Sequence, residues 1–360
     1  MDINAQVAKI TRETIVPNLF DQVSIASPFA MATLREAEEW RSGKHDELII
    51  KTAKSNQGGL FGIGEKLPST RDTNRARMQF SIKGLEKPIV VDDIEVLLNK
   101  GKEQVLDAVV TEVDSMGRDL MEDFAEQLYT GTGAGDEWTG ISVVADDGTN
   151  YGTYGNLSRT TYSSLNGYYA AAIGTLALSD LATGFDSVEK GNSGPTAVYT
   201  TKSIWSDYEA LLTPTVAANY SAKGAPMMSA DGAIGDSLSL RGTQGFQYLT
   251  YRGVPLMKDE AATSGKMFLV NTRKEGKRRN FGAIMADLKR TGNKKYSTTN
   301  FKMKDGMPKG TFGSRTAPRG FNFRDMMSPV DQLAEVGYLM FVGEFESAQP
   351  RTQGQLLGIS

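Results

Sequence analysis

One histidine, His45, and no cysteine occur in 360 residues. Disulfides, thiolate metal sites and thiol nucleophiles are therefore unavailable, and a multi-histidine metal centre is excluded. A Ser-His-Asp arrangement would have to use His45. That residue follows Gly43-Lys44 just ahead of a short strand and reads as a solvated loop residue. Carboxylates remain for acid–base work. Asp92-Asp93 and Asp146-Asp147 are adjacent pairs, but neighbours on an extended chain point to opposite faces and do not form a dyad. Asp136, Glu137, Asp146 and Asp147 lack the spacing of an EF-hand loop. Two glycine clusters have the look of phosphate cradles. Gly59-Leu60-Phe61-Gly62-Ile63-Gly64-Glu65-Lys66 has P-loop glycine spacing, with Glu65 where lysine belongs and Lys66 where serine or threonine belongs. A carboxylate there repels phosphate. Gly131-Thr132-Gly133-Ala134-Gly135 follows a helix pattern rather than a strand, and reads as a helix-terminating turn, not a dinucleotide fingerprint. No catalytic residue, metal or cofactor is assigned.

Charge is concentrated in one place. Residues 273–304 hold eleven basic side chains against Glu275 and Asp287, an excess of nine in a chain of net charge −3. Arg273, Lys274, Lys277, Arg278, Arg279, Lys289 and Arg290 have two readings: pairing with acidic groups of a neighbouring subunit, which is preferred, or contact with nucleic acid. Phe281, Tyr296 and Phe301 lie near, but no recognition module surrounds them. The near-neutral total argues against a protein whose main task is neutralising phosphates. A hydrophobic fraction of 39% and a charged fraction of 23% suit a chain with a buried core. Apolar runs all stop short of a membrane span, and Met1–Ala8 has no secretory pattern; a cytosol-like setting is expected.

The elements that must position these residues come next. Residues 1–45 read as an arm, interrupted by Pro17 and Pro28. Residues 46–92 read as an extended hairpin. Leu48–Lys54 is one strand, and Met78, Phe80 and Ile82 alternate with polar residues in the other. Extended chain resumes at Ile89-Val90-Val91. Between the strands lie 22 residues without a usable period, with Gly58, Gly59, Leu60, Phe61, Gly62, Ile63 and Gly64 at the tip. A two-stranded hairpin is marginal alone in water, so an apolar tip implies a recipient on another molecule. Glu103–Tyr129 carries Leu106, Val109, Val113, Met116, Leu120, Phe124 and Leu128, the stripe of a long amphipathic helix. Residues 131–160 read as loop with short strands. An α/β region follows: a helical stripe over Leu165, Tyr168, Tyr169, Ala172, Ile173 and Leu176, a strand at 196–201, and a helix face of Ile204, Trp205, Tyr208, Leu211 and Leu212. Residues 214–245 read as loop. Strands resume at 247–251, 254–257, 267–270 and 338–345.

This order resembles the major capsid proteins of tailed bacteriophages, the Hong Kong 97-type α+β fold, over nearly the whole chain. Three stretches carry the likeness: Phe124–Gly133 with Trp138-Thr139-Gly140-Ile141 behind it, Tyr251-Arg252-Gly253-Val254-Pro255-Leu256 with Met267–Asn271, and the strand Tyr338–Phe345. The resemblance implies an N-terminal arm (1–45), an E-loop hairpin (46–92) and a peripheral domain with the spine helix (93–135). An axial domain (136–275) follows, and the chain returns to peripheral strands and a C-terminal tail (276–360). It also implies a structural protein, not an enzyme, that self-assembles into pentamers and hexamers of an icosahedral shell around double-stranded DNA. The E-loop would lie over an adjacent subunit, and 214–245 would meet at the symmetry axes. Because the arm starts at Met1, a separate scaffolding protein is expected, with a portal and decoration proteins as further partners and no membrane. The protein would reside in the virion after assembly in the host cytoplasm. The rivals are a carboxylate-only enzyme and a DNA-binding or tail protein using 273–304.

Overall fold

The computed structural model describes residues 27–40, 43, 45–67, 69, 72–92, 108–212, 248–275, 278–286, 296–297, 321–327 and 334–360. The expectations for residues 1–26 of the arm, for the loop 214–245, and for Lys277, Lys289 and Arg290 fall outside them.

Two sheets carry the architecture. The first is organised by Ala334–Glu346, a 13-residue strand. Along it, Leu339, Phe341 and Phe345 recur with the strand period of two and are buried. Lys83–Asp92 pairs antiparallel with it, from Ala334 opposite Asp92 to Gly343 opposite Lys83. The extended run around Ile89 thus belongs to this plate rather than to the hairpin. Phe321–Met327 lines its other side and Gly282–Met285 its end. The helix Ala108–Thr130 packs on this plate. Its side chains Leu120, Phe124 and Leu128 stack at i, i+4 and i+8 and are fully buried. The Phe124 ring meets Phe341 at 5.2 Å, Phe345 at 5.3 Å and Trp138 at 5.5 Å. Burial of each such side chain is worth about 1.5–3 kcal/mol, which holds helix and sheet together as one stiff unit.

The helix ends where the glycines begin. Gly131 N–H donates to Gln127 O at 2.9 Å, and Gly140 N–H to Gly131 O at 2.8 Å. A Cβ at Gly131 would lie 2.3 Å from Trp138 O and 2.6 Å from Gln127 O. These glycines serve close backbone packing, and the cluster is a folded-back turn.

The second sheet runs Tyr168–Ala170, Gly354–Leu357, Lys266–Val270, Ala197–Thr200, Val254–Lys258, Tyr248–Tyr251. Helices Leu178–Val188 and Lys202–Leu211 pack on it. Leu181, Phe185, Val188, Ile204 and Tyr208 join Val198, Leu256, Met267, Leu269 and Leu356 in one cluster. Tyr199, Met257, Phe268 and Val270 join the main core, where Phe29 stacks on Tyr199 at 4.4 Å.

Two expectations fail here. The helical stripe over 165–176 does not form a helix. Ser163–Leu165 is a short 3-10 turn and Tyr168–Ala170 is a strand, paired in parallel with Gly354–Leu356. Ala172 and Gly174 sit at positive φ, 56° and 71°, which a helix cannot accommodate. The helix of this region is Leu178–Val188 instead. The C-terminal tail also departs from expectation: Gly354–Leu357 pairs with Lys266–Leu269 inside the second sheet rather than trailing from the first.

Candidate functional site

Among the described residues, most of the exposed large apolar side chains lie on the hairpin. His45–Lys51 pairs with Arg75–Ser81, His45 opposite Ser81. His45 is therefore a strand residue, its Nδ1 2.9 Å from Ser81 Oγ. Leu48, Met78 and Phe80 are buried, and Ile49 faces out. The root rests on Tyr154-Gly155. Phe80 meets the Tyr154 ring edge-on at 5.4 Å, and Gln79 N–H donates to Gly155 O at 3.0 Å. Gly155 sits at φ +55°, and a Cβ there would come within 2.7 Å of Met78 Cβ. Further out, Thr52 N–H donates to Asn74 O at 3.0 Å. The Asp72 carboxylate accepts from Ser55 Oγ and from Asn56 N–H; the Ser55 hydroxyl leads in holding that carboxyl below its ordinary range.

At the tip, Glu65 Oε2 accepts from Gly62 N–H at 2.8 Å. The glutamate thus fills the amide that a phosphate would need. Leu60, Phe61 and Ile63 are 106%, 69% and 109% exposed. Three large apolar side chains thus stand together in water on this loop. An open groove of about 700 Å³ runs beside the hairpin, between Leu48–Lys54 and Ala348–Arg351. Among the described residues its charged lining is Lys51, Lys54, Arg278 and Arg351, a basic groove.

The basic segment divides. Arg278 is bonded to Asp46 and lies near Glu38 and Glu346. Arg279 pairs with Glu36 at 2.8 Å, and Arg273 donates to Asn192 O. All three thus have partners within their own chain; for Arg278 and Arg279 these arise because the strand at 278–279 runs past carboxylates of residues 36–46 that are distant in sequence. Lys274 lies in a two-residue strand. The paired aspartates are turn residues: Asp146 accepts from the N–H groups of Gly148, Asn150 and Tyr151, and Asp147 from Thr149 N–H.

Among the buried carboxyls that the sequence does not single out is Glu344. Glu344 accepts from Thr139 N–H at 2.6 Å and lies 3.8 Å from Lys83. It ties the turn behind the helix to the strand leaving the hairpin. Burial pushes its carboxyl up to about 7, against the opposing pull of Thr139 and Lys83. A raised folded value means that stability is full below the ordinary 4.5 and falls as pH rises through 7. Glu344→Gln should flatten the stability–pH curve between these values in urea titrations. A variant as pH-sensitive as the parent would show that another group is responsible.

No family model matches the chain, and no curated protein sequence does. Solved structures match end to end. The cyanophage A-1(L) capsid asymmetric unit aligns over 99% of both chains at 15% identity, with a TM-score of 0.69. Mycobacterium phage Bobi aligns over 100% of this chain and 99% of that one at 10% identity and a TM-score of 0.54. The holo-SrpI encapsulin complex of Synechococcus elongatus PCC 7942 aligns over 100% and 96% at 11% identity and a TM-score of 0.53. Plate, spine helix, second sheet and projecting hairpin therefore add up to one known arrangement, and the chain has the α+β Hong Kong 97-type capsid fold.

Proposed function

We propose that the chain is the major structural subunit of an icosahedral phage shell, assembled from pentamers and hexamers of itself around double-stranded DNA. The observation that carries this reading is the apolar tip at Leu60, Phe61 and Ile63, exposed on a hairpin that belongs to a fold shared end to end with capsid proteins. In this reading the hairpin is the E-loop and lies over an adjacent copy. The first sheet and spine helix are the peripheral domain, and the second sheet is the axial domain. The role is mechanical rather than enzymatic: rings of identical subunits close through heterologous contacts. Order in the outlying segments is completed on assembly. A scaffolding protein, a portal and decoration proteins are the partners of such a shell, which is built in the host cytoplasm and ends in the virion. Within the basic segment, intersubunit pairing falls to Lys274, Lys277, Lys289 and Arg290.

Electron microscopy and light scattering of the purified protein test this. Closed shells, or free pentamers and hexamers, are expected. A small monodisperse species at every concentration would overturn the reading. Particles from the native source should contain double-stranded DNA; shells filled with protein cargo would favour an encapsulin-like compartment.

A further inference from the structure

The hairpin root contains an unbalanced charge cluster. Arg278 lies 2.6 Å from Asp46 Oδ2, 3.3 Å from Glu346 Oε1 and 3.5 Å from Glu38 Oε2. These carboxyls come from three different strands: Asp46 from the hairpin, Glu38 from the short strand Glu38–Glu39, and Glu346 from the end of Ala334–Glu346. Their side chains are 19%, 21% and 5% exposed. Among the described residues one guanidinium faces all three carboxyls, too little charge to balance three carboxylates in a largely buried site. The guanidinium donates to Asp46 Oδ1 at 2.7 Å and sits against Oδ2, whereas the buried Glu38 Oε1 and Glu346 Oε2 have no donor among the described residues. Asp46 and Glu346 are brought together on one guanidinium, and carboxyls held that close are satisfied when one of them carries a proton and donates it to the other.

The geometry points to Glu346 as a neutral carboxylic acid whose proton bonds Asp46, so that a single shared proton latches the hairpin root to the body of the subunit. Burial acts the same way, raising the Glu346 carboxyl well above its ordinary range; Arg278 opposes the shift, and Asp46 and Glu38 add to it. The remaining groups around the cluster are already engaged. The Tyr154 hydroxyl bonds Ser347 N–H and O beneath Arg159, whose guanidinium lies over its ring. Arg279 pairs with Glu36. Glu344, two residues back on the same strand, bonds Thr139.

The sign follows from linkage. Closed, Glu346 holds its proton more tightly than when the root is open and solvated. The latch is therefore full below the ordinary 4.5 and is lost as pH rises through the raised value. Between the two values the opening constant grows by up to about tenfold per pH unit.

Hydrogen exchange on the full chain, corrected for the intrinsic rate, tests this on peptides spanning 45–51 and 75–81, with 197–200 as an internal control. Wild type should show hairpin opening that steepens with pH while the control does not. Glu346→Gln keeps a donor to Asp46 but cannot ionise, so its hairpin should lose the slope. Asp46→Asn removes a charge that raises the closed-state value, so the rise should still begin near the ordinary 4.5 but level off at lower pH, with a smaller amplitude. In a Glu344→Gln background, wild-type Glu346 should give the infrared C=O band of a protonated acid at neutral pH. An unchanged slope in Glu346→Gln, or no acid band should that variant not fold, overturns the latch.

Discussion

Replacing Leu60, Phe61 and Ile63 together with serine is expected to abolish particle formation while leaving the unfolding of the dissociated subunit unchanged. All three side chains stand in solvent, so their removal costs the isolated subunit little; surface changes of this kind usually fall within about 0.5 kcal/mol. Covered by a neighbour, each would contribute about 1.5–3 kcal/mol. Full coverage of the three is then worth roughly 5–9 kcal/mol per hairpin, or several powers of ten in the contact constant. Because every subunit in a closed ring donates one hairpin, the loss recurs at each contact. Sedimentation at matched concentration reads the assembly, and urea titration of the dissociated form reads the fold. Particles formed at wild-type yield would show that the tip is not an interface. A lowered urea midpoint would show instead that it packs on its own chain.

What was legible in the residues follows from how locally each signal is encoded. The spine helix could be read because Leu120, Phe124 and Leu128 repeat with the helical period and the glycines at 131–140 stop it; the structure gives Ala108–Thr130. The hairpin could be read because Met78 and Phe80 alternate with polar neighbours. Long-range pairing could not. Pairing of Lys83–Asp92 with Ala334–Gly343 leaves no trace in either segment beyond β-like composition. The same holds for Gly354–Leu357, whose glycine and glutamine give no strand signal; its place between Tyr168–Ala170 and Lys266–Val270 supplies the burial. The error at 165–176 has a different cause. Apolar residues there do recur at helical spacing, but Gly167 packs where a Cβ would lie 2.6 Å from Ala145 C. The turn forced by that contact overrides the period. The sequence offers Arg278 and Arg279 for pairing with a neighbouring subunit or nucleic acid, because nothing in a basic run reveals that Glu36, Glu38 and Asp46 of the same chain lie beside it. The exposure of the apolar tip needed no tertiary knowledge, since the segment is too small to bury Leu60, Phe61 and Ile63.

The same logic of distant groups meeting at one atom sets the second large effect, at Asp259. This carboxylate, 1% exposed, accepts from Ser27 Oγ at 2.6 Å, Tyr129 Oη at 2.9 Å, Phe29 N–H at 3.2 Å and Ala261 N–H at 3.0 Å. Ser27 in turn caps the helix Pro28–Arg35 by accepting from Ala30 N–H, and Tyr129 closes the spine helix. One side chain thus joins the helix Pro28–Arg35, the spine helix and the end of the strand Val254–Lys258. Burial raises its carboxyl above the ordinary range even though four donors oppose the shift. Asp259→Ala leaves those donors in a dry core, and the expected loss is about 3–5 kcal/mol, the scale for stranding buried partners of a charged acceptor. Tyr129→Phe removes one donor and keeps the acceptor, so about 1–2 kcal/mol is expected. Urea midpoints of the dissociated subunit at constant m measure both. If Asp259→Ala cost no more than Tyr129→Phe, the carboxylate would be a bystander. If the large loss appears, the two sheets and both helices unfold as one cooperative body, which is the stiffness a plate must have for a hairpin to act as a lever upon its neighbour.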